Sequence, residues 1–229
     1  MARTDAPPRS APGVRVRLRQ VVDVVAAAPY LLVTPFRREW ARTWGATADE
    51  VAAPMAGDDL VPFERRWWRG FEATRALTIG AQPADVWPWM VQVGSSATGR
   101  AGFYSLDLVD NLGTPSADVV LPQWQQPRVG DLAAPMLPRP SERTSYRVAL
   151  VDEHRTLVWA NPDGTWAWRL TPLPDGSTRL VTRFRQRYRA RPSAVAIMAA
   201  MELGDFAMMR VMLLGVKRRA ERLARAHGR

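Results

Sequence analysis

The sequence has no cysteine. This excludes a disulfide framework, a thiolate metal site and a cysteine nucleophile. Histidine is almost as scarce. His154 falls in a turn and His227 in the C-terminal tail, so neither has a second imidazole beside it to build a transition-metal site. No G-x-S-x-G elbow accompanies His154 to make a serine triad. A long hydrophobic run is missing too. Val24 to Phe36 is the best stretch, 13 residues interrupted by Pro29 and Pro35, whereas a spanning helix takes about 20 apolar residues. No small-residue cleavage site follows an apolar core, so it does not read as a signal peptide. A cytoplasmic protein is the expectation.

What is present describes a globular chain of 229 residues, 47% apolar and 24% charged, long enough for one domain with a sizeable core. The net charge of +10 is carried by the ends: residues 1–42 hold +5, residues 217–229 hold +5, and the interior is neutral. Basic ends on a neutral body suit anionic surfaces; a nucleic-acid reader carries its charge on a folded face, so no nucleic-acid partner is expected. Arg15, Arg17 and Arg19 precede the apolar stretch and Arg37 and Arg38 follow it. Two placements suit it: a helix docked on the domain or a partner, and a helix lying on a membrane surface as a peripheral contact.

Residues 1–13 read as a disordered tail, 14–43 as an N-terminal helical segment and 44–229 as the folded domain. Thr47 and Glu50 make a capping box for a short helix that Pro54 stops. "ATRALTI" (73–79) alternates as a strand with Arg75, Leu77 and Ile79 on one face. "QPADVWPWMVQVG" follows as a short helix, Pro83 in its first turn and Pro88 uncomfortably inside it. One strand is expected at "RVGDLAA", and residues 145–189 give four more, joined by turns at "DEH", "NPDG" and "PDGS" into an antiparallel meander. Residues 193–226 read as one helix, with Ile197, Met201, Gly204, Met208, Val211 and Gly215 recurring on one face.

The stretch "GSSATGRAGFYS" (94–105) has the glycine spacing of a phosphate loop. Arg100 and Ala101 stand where lysine and a hydroxyl should be, and a helix precedes it, so that reading fails. Asp107 and Asp110, three apart, share a helical face, with Tyr104 one turn before. A carboxylate beside a tyrosine in an apolar hole suits acid–base work; the structural alternative is an acid capping the turn. Ten tryptophans are present. Trp166 and Trp168 share a face with Leu170, as do Leu180, Thr182, Phe184, Gln186 and Tyr188 on the last strand, with Tyr146, Val148 and Leu150 extending it. Arg183, Arg185, Arg187, Arg189 and Arg191 take the opposite face, which is read as outer and basic. Met198, Met201, Met208 and Met212 of the last helix are placed opposite the aromatic face. Either these side chains fill a core, or they line a pocket for a flexible apolar ligand.

"ATRALTIGAQPADVWPWMVQVGSSATGRAGFYSLDLVDNL", "PQWQQPRVGD", "DGTWAWRLTPLPDGSTRLVTRFR" and "MMRVMLLGVKRRAE", with the lead-in "WGATADEVAAPMAGDDLVP", resemble the START-like (Bet v 1-like) SRPBCC superfamily, and within it the polyketide cyclase/dehydrase-like proteins of actinobacteria. The resemblance covers about residues 44 to 223. It implies an α+β helix-grip fold, a curved antiparallel β-sheet wrapped around a long C-terminal α-helix, here with an N-terminal helical extension. It also implies a deep cavity between sheet and helix, with residues 94–112 closing one end. Three functions follow as expectations. The first is a cofactor-free binder of a polyketide, lipid or isoprenoid, lined by Phe103, Tyr104, Tyr146, Trp166, Trp168, Tyr188, Met208 and Met212. The second is a cyclase or dehydratase with Tyr104 and Asp107 as acid–base groups. The third is a membrane-surface or partner-binding module acting through residues 14–40.

Overall fold

The computed structural model describes residues 14–63, 70–134, 141–143, 145–188 and 201–228. The N-terminal helices are α1 (Val14–Val33), α2 (Arg38–Arg42) and α3 (Ala48–Ala52). After them come β1 (Gly70–Ile79), α4 (Pro83–Val91) and a one-turn α5 (Asp107–Asp110). Strands β2 (Leu132–Ala133), β3 (Tyr146–Asp152), β4 (Thr156–Asn161), β5 (Gly164–Pro172) and β6 (Thr178–Arg187) lead to the C-terminal helix α6 (Asp205–Ala226). The strands form one antiparallel sheet in the order β1-β6-β5-β4-β3-β2. The fold is α+β: a curved antiparallel sheet packed against a long C-terminal helix, preceded by a helical segment.

Local chemistry accounts for most elements. Thr47 and Glu50 complete the capping box of α3, Pro83 opens α4 and Pro88 lies inside it. The "DEH", "NPDG" and "PDGS" turns separate β3 to β6 into sequential neighbours. Two expectations change. Leu150 is exposed because the pairing of β3 with β4 shifts between Val148 and Leu150; the bulge turns Leu150 outward and Val151 packs on the core instead. The C-terminal helical stretch is interrupted at Gly204, which caps α6. Residues 193–200 of that expected helix, with Ile197 and Met198, and the tail 1–13 lie outside the described residues.

The main core lies between the inner face of the sheet, α4 and α6. Trp159, Trp166, Trp168, Leu170 and Leu180 meet Val86, Trp89, Met209, Met212, Leu213 and Val216 there. At Gly215 an added Cβ would stand 2.4 Å from the carbonyl oxygen of Tyr104, so only glycine lets α6 approach the 94–105 loop this closely.

The opposite face of the sheet departs furthest from expectation. The arginines of β6 are covered, mainly by the segment after α2, Arg183 wholly and Arg179, Arg185 and Arg187 in part, while Arg189 and Arg191 lie outside the described residues. Arg183 is fully buried. It donates to Asp58 (2.6 Å), to Thr74 (2.9 Å) and to the carbonyls of Glu50 and Val51. Arg185 bonds Glu72 at 2.6 Å and Arg179 bonds Glu50 at 2.7 Å. Met55, Ala76, Val158, Ala167 and Val181 form a second, smaller core under this strap. Gly45 permits the contact, its φ being +72° and its Cβ position only 2.1 Å from the Ala76 carbonyl oxygen. Alternation thus separated the two faces correctly, but the outer one is largely covered as well.

On the inner face, Arg75 of β1 reaches the start of α6. It bonds Asp205 at 2.7 Å and the Ala41 carbonyl of α2 at 2.8 Å, and lies over the Phe206 ring. Asp205→Ala leaves this guanidinium buried without its carboxylate and is expected to cost about 3 kcal/mol. The double change Arg75→Met with Asp205→Leu is expected to recover most of that loss. Urea denaturation of the three proteins reads the difference; equal stability of Asp205→Ala and the unmodified chain would contradict it.

Candidate functional site

The strands bring the aromatic side chains together by register. Trp159 pairs with Trp166 across β4 and β5, and Trp166 with Phe184 across β5 and β6. Trp166 and Trp168 stack with centroids 5.1 Å apart, and Trp159 meets Trp166 edge-on at 5.2 Å. Tyr146 packs edge-on against Trp166 and Phe184. Trp166 also donates to the Thr182 hydroxyl at 3.1 Å, so its polar end is satisfied. The indole N–H groups of Trp87, Trp89 and Trp168 are buried and have no acceptor among the described residues.

Beside Trp159 a cleft of about 260 Å³ opens at the β2 edge, walled by Val91, Val148, Ala133, Trp124 and Arg100. Arg100 is buried. Its guanidinium donates to the carbonyls of Val91 (3.0 Å), Val93 (3.1 Å) and Leu132 (2.5 Å) and lies 4.3 Å from the Trp124 ring centre. It makes no ion pair among the described residues. Burial pulls its pKa down to about 10, against the opposing field of Asp131, so it remains a cation at neutral pH. Gln92 sits behind the cleft, donating to the Tyr104 hydroxyl (2.7 Å) and accepting from the Leu121 N–H (2.8 Å).

The glycine-rich loop is built into this wall. Gly94 and Gly102 exchange backbone hydrogen bonds, while Phe103 and Tyr104 point into the main core. Tyr104 holds a left-handed φ of 56°. Its N–H donates to Ser116 Oγ (2.9 Å), and the same hydroxyl donates to Asp107 Oδ1 (2.5 Å). Asp107 also accepts from the Ser116 N–H at 2.8 Å. Burial raises the pKa of Asp107 while these two bonds lower it, leaving a net rise. Burial likewise pushes the Tyr104 phenol well above its ordinary value. The Tyr104 hydroxyl and the Asp107 carboxylate are not bonded to each other: one is held by Gln92, the other by Ser116.

The expected ligand-lining residues separate into groups. Phe103, Tyr104, Tyr146, Trp166, Trp168 and Met212 belong to the main core. Met208 faces away from the sheet, packing with Ala27 of α1 and Leu106. Tyr188 clusters with Phe71, Ala73 and Met201 at the far end of β1 and β6. None of the eight lines the cleft, which is walled by Arg100, Trp124 and Trp159 among others, and Met209 faces the sheet where Met208 was expected. The Leu157/Trp159 alternation in "TLVWAN" carried the signal for Trp159. No local pattern marks Arg100, whose partners lie on three other segments.

The inner sheet face, α6 and the loop wall together define a helix-grip-like architecture with a candidate site at its open edge. No protein-family model and no curated protein matches the chain. Solved structures do. A protein of Nitrosomonas europaea is 14% identical, covering 71% of this chain and 99% of its own, with a TM-score of 0.38. A protein of Mesorhizobium loti is 15% identical over 66% of this chain and 98% of its own, with a TM-score of 0.36. A Polyketide_cyc-like protein of Corynebacterium glutamicum is 13% identical over 69% and 91%, with a TM-score of 0.30.

One buried group stands apart. Both carboxylate oxygens of Asp110 are shut off from solvent, where the Ser105 side chain and the local backbone only partly offset their burial. Burial, reinforced by neighbouring Asp107, pushes its pKa up to about 7. An unfolded aspartate titrates near 3.9, so between about pH 4 and pH 7 the folded chain binds more protons than the unfolded one. Stability therefore falls as pH rises through that window, and the full penalty is present above it. Asp110→Asn is expected to gain on the order of 2 kcal/mol at pH 8 and almost nothing at pH 4. Urea denaturation at both pH values checks this, and an equal effect at the two would refute it.

Proposed function

We propose that the protein binds a hydrophobic small molecule of polyketide, lipid or isoprenoid type between the inner face of the sheet and α6, entering beside Arg100 and Trp159. The observation that carries this reading is the set of buried indole N–H groups on Trp87, Trp89 and Trp168 without acceptors. A buried donor left unpaired costs about 1–3 kcal/mol. An apolar skeleton bearing carbonyl or hydroxyl oxygens satisfies such donors and keeps the rest of the wall dry.

The cleft of about 260 Å³ falls below the usual range of ligand pockets, about 300–1,000 Å³. A larger guest requires side chains to move. Met209 and Met212 on α6 supply adaptable ones. Phe103, Tyr104, Tyr146, Trp166, Trp168 and Met212 would form the apolar wall, and Arg100 the polar end. The binding reading is preferred to a cyclase or dehydratase because Tyr104 and Asp107 engage separate partners and share no proton.

The test is native mass spectrometry of the protein purified from its own host, followed by calorimetric titration with oleate as a probe. An apolar molecule is expected to copurify at one per chain. Replacing the Trp168 indole by benzothiophene keeps the bicyclic ring but loses one N–H, and is expected to weaken oleate binding about fivefold, the worth of roughly one hydrogen bond. A chain that copurifies with nothing apolar and takes up no oleate would overturn the proposal.

A further inference from the structure

Helix α1 has two faces, and only one is used within the chain. On the docked face Gln20 donates to the Gly113 carbonyl at 2.9 Å. Ala27 and Val24 pack with Leu106, Ala207 and Met208. Tyr30 meets Phe206 edge-on and lies under Arg210. The opposite face carries Val14, Leu18, Val21, Val25 and Leu32, whose positions fall within about 60° of one another at 3.6 residues per turn. All five are exposed, Leu18 at 64%, Val25 at 65% and Leu32 at 74%; Phe36, beyond the helix, is 89% exposed. α5, which packs on α1, exposes Leu108 and Val109 as well.

Charge frames this apolar stripe. Arg15, Arg17 and Arg19 at the start of α1 and Arg37 beyond its end are exposed and have no ion-pair partner among the described residues. Asp23 is the one acid of α1. Its position falls on the docked side of the helix, and its charge acts on Asp107. An exposed apolar stripe of roughly 30 Å, bordered by unpaired arginines, complements a surface that is apolar in depth and anionic at its rim.

We propose that α1 binds in the plane of an anionic lipid bilayer, its Val14–Leu32 stripe in the acyl boundary and its arginines on the headgroups. The helix does not cross: no described helix is long and apolar enough to span a membrane. Pairing with a second copy is disfavoured by the same charges. A parallel pair sets Arg15, Arg17 and Arg19 against their equivalents, and an antiparallel pair sets them near Arg37.

Flotation of the full chain with vesicles of phosphatidylcholine, with and without phosphatidylglycerol, tests this. Binding to the anionic vesicles is expected, and loss of it in a Leu18→Glu/Val25→Glu variant whose denaturation curve is unchanged, since both side chains are largely exposed. Replacing Arg15, Arg17 and Arg19 by glutamine is expected to weaken binding about fivefold per residue, about 100-fold in all. Three results overturn the proposal: no binding to anionic vesicles, equal binding to neutral ones, or a dimer in light scattering that the Leu18→Glu/Val25→Glu variant dissociates.

Discussion

A guanidinium removed from water must be surrounded by acceptors, and the structure is organised around three that are. Arg75, Arg100 and Arg183 are each buried and each reach segments distant in sequence. Arg183 binds the strap of residues 50–58 to the outer face of the sheet. Arg75 joins β1, α2 and the first turn of α6. Arg100 ties the end of α4 to the β2 edge through carbonyls alone. Loss of any acceptor leaves a buried cation unsatisfied, so each arginine fixes the position of backbone that has little regular structure of its own. The planar five-donor geometry of arginine suits this bridging, which a lysine could not reproduce.

The consequence for the candidate site is rigidity at one side and compliance at the other. In the loop wall, hydrogen bonds connect Gln92, Tyr104 and Ser116, while Arg100 is fixed separately by three backbone carbonyls. Facing it, α6 presents methionine and small residues. In the proposed binding mode, a guest entering at the β2 edge would meet fixed polar groups first and deformable apolar ones further in. Such an arrangement orients an amphipathic molecule by one end while tolerating variation in the other.

The parts of this organisation legible in sequence are those governed by local periodicity. The meander from β3 to β6, the capping box at Thr47 and Glu50, and the aromatic face of Trp166 and Trp168 follow from alternation and turn chemistry. Legibility ends where a distant segment changes a residue's environment. Arg183 reads as solvent-facing because its cover is supplied by residues more than a hundred positions earlier. Arg75 alternates with Leu77 and Ile79 without any local hint that Asp205 will neutralise it. Leu150 is displaced by a bulge that no turn residue announces. At the site, Trp166 and Trp168 were readable from spacing, whereas Arg100 and Gln92 act through contacts made only once the loop, α4 and β2 have assembled.

The stacked indoles of the sheet have one more implication. Trp166 and Trp168 lie 5.1 Å apart and Trp159 is 5.2 Å from Trp166, well within the range over which neighbouring chromophores share their excitation. Light absorbed by any one of them is therefore redistributed over the three before emission. The inner wall of the sheet behaves optically as a single unit, whose circular dichroism and emission change together when any member is displaced.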